Sequence, residues 1–315
     1  MASVLGGTQA RAQTRWELPA NYPDSAFQTR NLVQFANDVG RATSGSLTIT
    51  VHPNGKLFKH AAIKPAVRDG KAAIGEIFVS LAAEEAPVYG LDSIPFLATG
   101  YDQARKLYAA QKPYLEKQLD SEGLKLLYSV PWPPQGIYAK REINAIGDLK
   151  GLKFRTYNVM IKRIAELAGA VPTQIEVPDL PAAFASGRVD VMITSASSGV
   201  QSKAEEYLTH YYDAQAWLPR NMVFVNKQAF VALSPAEQKA VLDAAAVAEE
   251  RGWTLSRDEM AIKTDALRAA KIIVVPPSTE LRDGLARIGA TIAGEWAAAA
   301  GADGAAMLTA YRKQP

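Results

Sequence analysis

Arg155 carries the sharpest chemistry in this sequence. It lies in Lys153-Phe154-Arg155-Thr156-Tyr157, where alternation puts Phe154 on one face of a strand and Arg155 on the other. The position is near the carboxyl end of a predicted parallel strand, the edge at which open α/β sheets gather ligands. A helix begins after Asn158, so its positive end points to the same region, and Asn158 can cap it with its side-chain oxygen. A guanidinium fork there suits a carboxylate, held by two parallel bonds. A surface Arg155 in a salt bridge is the alternative. Glu76, Phe78 and Ser80 share one face of a second strand and could reach the same cleft. Equally, Phe78 could be core and Glu76 could pair with a base. Trp132 and Trp217 stand in Pro-flanked loops, where the rings either wall a pocket or lid a packed core.

No nucleophile-and-base set accompanies these residues. There is no G-x-S-x-G, P-loop, H-E-x-x-H or G-x-G-x-x-G. The chain has no Cys, which excludes thiol catalysis, thiolate metal sites and disulfides. Three histidines, His52, His60 and His210, leave little for an imidazole metal site. The Ser195–Ser198 cluster has no plausible base beside it, and His210, followed by Tyr211 and Tyr212, reads as packing or surface. Acidic pairs such as Glu84-Glu85 and Glu249-Glu250 read as solvated faces. Neither a metal nor a cofactor is expected.

The elements that must position Arg155 follow from the rest of the chain. At 315 residues it has room for about two domains. Lys and Arg number 35 against 32 Asp and Glu, a balance too even for the concentrated basic face of a nucleic-acid binder. No apolar run reaches the ~18–20 residues that span a bilayer. Leu32, Phe35, Ala36 and Val39 recur at helical spacing, Leu47, Ile49 and Val51 alternate, and a helix over 60–69 leads to a buried strand over 73–80. This βαβα order predicts a parallel sheet with right-handed crossovers. A helix over 101–121 and a strand over 124–130 end at Pro131-Trp132-Pro133-Pro134, where the chain can leave one domain. A βαβαβ unit is predicted inside 150–195, with Asn158 and Asp179 capping its helices, and residues 203–212 read as helical. Ser234-Pro235-Ala236-Glu237 is a strong helix start for a pattern running over 235–270, either one long bent helix or two breaking near Gly252. A strand over 272–275 and an Ala-rich helix over 279–298 close the chain.

At the amino terminus, Ala10-Arg11-Ala12 fits the small-x-small pattern of a signal-peptidase site, with cleavage before Gln13. The basic start and apolar stretch of a full signal are missing. The expectation is a shortened export signal over 1–12, outside the fold, and hence a periplasmic protein; an ordinary disordered terminus is the alternative.

The segments Gly70-Lys71-Ala72-Ala73-Ile74-Gly75-Glu76, Ile94-Pro95-Phe96-Leu97 and Asp148-Leu149-Lys150-Gly151-Leu152-Lys153-Phe154-Arg155 follow one another in a distinctive order. So do Ala182 to Asp190, Val225-Asn226-Lys227-Gln228-Ala229-Phe230 and Leu233-Ser234-Pro235. In this order and spacing the chain resembles the periplasmic solute receptors of tripartite ATP-independent periplasmic (TRAP) transporters, from Trp16 to the final helices. The resemblance implies an α/β, two-lobed periplasmic binding protein fold with a hinged cleft and a long helix spanning both lobes. The lobes are expected as 13–133 with 223–262, and 134–222 with 263–315. It implies that Arg155 binds the substrate carboxylate, that Asn158 is a family site residue, and that residues 76–80 and the loop at Thr194 and Ser195 belong to the cleft. Gln135 stands where some members carry a second Arg, which argues against a strongly dianionic substrate. The loop over 194–202 is longer than in sialic-acid receptors. The segments around Trp132 and Trp217 look like a subgroup that takes small oxo, hydroxy or aromatic monocarboxylates.

The expected function is therefore a receptor, not an enzyme. It would bind a small organic acid by domain closure and deliver it to the small and large TRAP membrane subunits, with no nucleic-acid partner. Arg155 would hold the carboxylate. Gln135, Asn158, Thr194, Ser195 and Asn221 would supply directional bonds, and Phe78, Trp132 and Trp217 would exclude water. An α/β enzyme acting on a carboxylic acid, and a receptor of another transport class, are the competing expectations.

Overall fold

The computed structural model describes residues 13–313. The expected export signal over 1–12 lies outside them. The chain opens with β1 (Thr14–Pro19), α1 (Phe27–Ala42), β2 (Leu47–His52), α2 (His60–Arg68) and β3 (Ile74–Phe78). β1 and β2 pair in parallel, with Trp16 opposite Ile49 and Leu18 opposite Val51. α1 buries Phe27, Leu32, Phe35 and Val39 along one stripe, which seats it on this layer. Each such side chain removed from water contributes roughly 1.5–3 kcal/mol.

Next come α3 (Tyr101–Ser121), β4 (Leu124–Pro131) and β5 (Gln135–Ala139), with the crossing between β4 and β5 at Trp132-Pro133-Pro134. The βαβαβ unit follows as β6 (Lys153–Thr156), α4 (Val159–Leu167), β7 (Val171–Gln174), α5 (Leu180–Ala185) and β8 (Val191–Ser195). Asn158 caps α4 by accepting from Ile161 N–H at 2.9 Å. Asp179 precedes α5 but makes no side-chain cap bond. After α6 (Ala196–Gln201) the chain forms β9 (His210–Tyr212), not the expected helix. Tyr211 and Tyr212 are β-favouring aromatics, and they lie opposite Tyr138 and Ile137 of β5, so sheet pairing overrides the local helical pattern.

β10 (Arg220–Asn226) returns to the first half and runs antiparallel between β3 and β4, giving the order β3-β10-β4. The parallel expectation therefore fails for this sheet: a strand arriving from a distant segment fills its centre. The last elements are α7 (Lys227–Val231), α8 (Pro235–Ala269), β11 (Ile273–Val275) and α9 (Thr279–Lys313). They complete a six-stranded sheet in the order β11-β9-β5-β8-β6-β7. The result is an α/β architecture of two lobes, one around β1-β2 and β3-β10-β4, the other around the six-stranded sheet.

α8 is a single helix that packs on α1 and β4 in one lobe and on α6 and β11 in the other. Ser234 and Glu237 exchange bonds in a capping box at its start. Gly252 does not break it. A Cβ there would stand 2.4 Å from Val130 Cγ2, so the glycine lets the helix lie directly on β4. α9 runs on past the expected end, with a kink at Gly301, whose φ of +57° suits a residue without a Cβ.

Candidate functional site

The two lobes face each other across a cavity lined from both sides. β6 and β8 run parallel, and both end at it, at Arg155-Thr156 and Thr194-Ser195. This is the carboxyl edge at which an open α/β sheet presents its ligands. From the opposite lobe come Tyr22 in the turn after β1, His60 at the start of α2, Phe78 at the end of β3 and Trp132 after β4.

Arg155 is 2% exposed, and no carboxylate among the described residues lies within ion-pair distance. Its Nε donates to the Ile175 carbonyl at 2.9 Å, which fixes the plane of the fork. Its guanidinium carbon sits 4.3 Å from the centre of the Tyr157 ring. The two terminal nitrogens have no protein partner among the described residues. Burial pulls the guanidinium pKa below its ordinary value, and an arginine side chain stays protonated in proteins. Glu176, which lines the same cavity, supports this charge only at longer range, so a buried cation without a directly paired anion still gains when a carboxylate arrives.

Around it the polar groups are oriented. Tyr157 O–H donates to Gln135 Oε1 at 3.3 Å, and Gln135 Nε2 donates to the Pro133 carbonyl at 2.9 Å, so the amide cannot flip freely. Ser195 caps α6 by accepting from Ser198 N–H at 3.2 Å and donates to Ser198 Oγ at 3.3 Å. The Ser198 hydroxyl proton is thereby left for the cavity. Thr194 lines the cavity beside them.

The opposite wall is aromatic. Tyr22 and Trp132 pack at 4.7 Å between ring centres, and Phe27 closes on Trp132 at 5.3 Å. Trp132 Nε1 donates backwards to Asn221 Oδ1 at 2.8 Å, so Trp132 offers the cavity only its ring. Asn221 Nδ2 in turn donates to Glu76 Oε1 at 2.7 Å. Glu76 is 1% exposed, and its Oε2 has no protein partner. Burial pushes its carboxyl up to about 7, against the bond from Asn221. His60 Nε2 accepts from Phe78 N–H at 3.1 Å, which leaves the ring proton on Nδ1. Burial pushes this imidazole down to about 4, so it is neutral at pH 7.

Six of the residues singled out in the sequence line the cavity: Phe78, Trp132, Gln135, Arg155, Thr194 and Ser195. Five do not. Glu76 and Asn221 stand behind Trp132 as its support. Asn158 and Ser80 bond each other behind Phe78, and Trp217 is 1% exposed within the core, with its backbone carbonyl accepting from Gln135 N–H. An apolar ring in a Pro-flanked loop fits a core and a pocket equally, and Trp217 takes the core. The sequence reading did not single out Asn21, Tyr22, His60, Leu81, Tyr157, Glu176, Val177 or Ser198 as pocket residues, all of which line the cavity. Tyr157 and Ser198 had a signal, since Tyr157 follows Arg155 within the same segment and Ser198 belongs to the serine cluster that starts at Ser195; the others meet only through the tertiary fold.

The chain is similar to known proteins over most of its length. The description "Bacterial extracellular solute-binding protein, family 7" matches residues 20–292. The solved structure of DctP6, a Bordetella pertussis extracytoplasmic solute receptor binding pyroglutamic acid, is 48% identical, covers 96% of this chain and 100% of its own, and superposes with a TM-score of 0.94. DctP7 of the same organism, also binding pyroglutamic acid, is 44% identical over 95% of this chain and 100% of its own, with a TM-score of 0.94. A marine metagenome TRAP solute-binding protein in complex with co-purified pyroglutamate is 39% identical over 96% of this chain and 100% of its own, with the same TM-score. A solute-binding protein of Albidiferax ferrireducens is 26% identical over 69% of this chain, and the match spans 65% of that relative's length. No described helix is long and apolar enough to cross a membrane. The chain belongs to the bacterial extracellular solute-binding proteins of family 7, as a TRAP transport receptor and not an enzyme.

Proposed function

We propose that this chain is a periplasmic receptor for pyroglutamate, which it hands to the small and large membrane subunits of a TRAP transporter. The observation that carries the reading is Arg155, a buried cation with an immobilised fork and no carboxylate in direct ion-pair contact among the described residues. A single carboxylate completes it through two parallel charged bonds. The rest of the ligand is then read by groups that suit a neutral lactam ring. The hydroxyls of Thr194 and Ser198 can donate to its carbonyl or accept from its N–H. Trp132, Tyr22 and Phe78 cover its apolar edge. Three solved relatives at 39–48% identity hold pyroglutamate, which supports this ligand over other small monocarboxylates.

The lobes that close on it are residues 13–133 with β10 and α8 to about 262, and the intervening segment with residues from 263 onward. The pairing of Arg220 with Pro131 supports a return crossing near the start of β10, close to the boundary at 223. Titration calorimetry with pyroglutamate tests the reading. Arg155→Ala should weaken binding by about 2–5 kcal/mol, the scale for stripping one partner from a buried charge pair. Equal affinity of the variant and the parent would exclude Arg155 as the anchor.

A further inference from the structure

Behind the cavity, one hydrogen bond crosses the seam between the lobes without touching the ligand space. Ser80 follows β3 in the turn Val79–Ala82, and Asn158 precedes α4. Asn158 Nδ2 donates to Ser80 Oγ at 2.7 Å, and the two residues are 8% and 1% exposed. The amide's orientation is set locally: its oxygen is held by Ile161 N–H as the cap of α4, so only its nitrogen can face the other lobe. In front of this bond, Phe78 and Tyr157 meet edge to face at 5.6 Å, and both line the cavity. Neither Ser80 nor Asn158 lines the cavity itself.

We propose that the Asn158–Ser80 hydrogen bond is a latch of the closed form that sets how long a bound solute is retained, independently of the ligand's own contacts. The inference rests on the reading of the chain as a receptor whose lobes close on a solute. A ligand shifts an open–closed balance only by its differential affinity for the two forms. A bond made only in the closed form lowers that form's free energy with or without ligand. Its loss therefore speeds release, while encounter with the open form is unchanged.

The test uses Ser80→Ala, Asn158→Ser and the double variant in the full chain, with pyroglutamate as the probe in stopped-flow and calorimetry. Asn158→Ser keeps an oxygen at the cap of α4 and removes only the amide nitrogen. Either single change should raise the dissociation rate about 5–100-fold, the range for a buried group left without its partner, with the association rate within about twofold. The double variant should be no weaker than the weaker single one, because both remove the same bond. A second readout needs no ligand: energy transfer between dyes on the two lobes should show a smaller closed fraction in Ser80→Ala. Unchanged release, strictly additive single effects, or an unchanged unliganded closed fraction would overturn the latch. Failure of the parent protein to bind pyroglutamate would sink the ligand assignment instead, and the dye measurement would still decide the latch.

Discussion

Glu76→Gln is expected to be close to neutral for stability near pH 5 and stabilising at pH 8. Glu76 is 1% exposed and sits between the three-stranded sheet and the aromatic wall, with one oxygen bonded by Asn221 and the other without a protein partner. Burial raises its carboxyl from 4.5 to about 7. Between those values the folded chain keeps a proton that the unfolded chain has lost. Folding is therefore opposed increasingly as pH rises through the window, and the full cost applies above about pH 7. At 1.36 kcal/mol per unit the cost is about 3 kcal/mol. Gln has nearly the same shape, can still accept from Asn221, and never charges. Near pH 5 the variant should match the parent within about 1 kcal/mol, and at pH 8 it should be more stable by about 2–3 kcal/mol. His60 works in the opposite direction. Its pKa is lowered from 6.5 to about 4, so it adds stability as pH rises over that range, by less than its shift suggests because the ring is partly exposed. Where the two windows overlap the slopes oppose each other, so the parent alone hides the effect. Urea unfolding of both proteins at half-unit steps from pH 4.5 to 8.5 separates them, because the difference between the two curves removes His60 and every other shared group. A difference that stays flat across the series would refute the reasoning, since it would mean that Glu76 titrates alike in both states.

Trp132→Phe keeps an aromatic wall but leaves Asn221 Oδ1 without its donor in the core, so urea unfolding should show a loss of about 1–3 kcal/mol. Gly252→Ala removes about 1 kcal/mol of helix penalty but drives a Cβ to 2.4 Å from Val130 Cγ2 and 2.9 Å from Asn31 Nδ2. Overpacking costs about 1–3 kcal/mol, so thermal unfolding should show a net destabilisation. In calorimetry, glutamate should bind at least 100-fold more weakly than pyroglutamate. Its ammonium and second carboxylate would have to leave water beside the rings of Tyr22, Phe78 and Trp132, with Arg155 able to satisfy only one carboxylate.

The legible parts of the fold were those fixed by local chemistry. Ser234 and Glu237 announce α8 because a capping box is complete within four residues, and Asn158 announces α4 for the same reason. Arg155 stood out because a strand alternates and its end is where ligands collect. The centre of β3-β10-β4 was hidden because β10 lies about 90 residues beyond β4, and no local pattern states which strands it will join. The strand β9 was hidden because residues 210–212 take their conformation from β5 and β11, against the helical pattern around them. The aromatic wall was only half legible. Trp132 is conspicuous beside its prolines, whereas Tyr22 and His60 become wall residues only when the turn after β1 and the start of α2 are brought to the end of β4.

The distribution of contacts over the two lobes explains why such a site needs closure. The lobe of the six-stranded sheet supplies the charge and the directional groups, Arg155, Gln135 and Thr194 from its strands and Ser198 from α6, but leaves them facing solvent when alone. The other lobe's Trp132 has its only donor turned to Asn221, and its neighbour Phe78 has none in its side chain, so this wall contributes mainly apolar surface and the exclusion of water. A carboxylate on Arg155 in water would gain little, because the surrounding solvent screens the pair. The same contact under an aromatic lid is stronger, and the lid gains only when a ring lies beneath it. Each half thus makes the other's contribution worth more, and that mutual dependence turns binding of a small acid into a force that holds the lobes together.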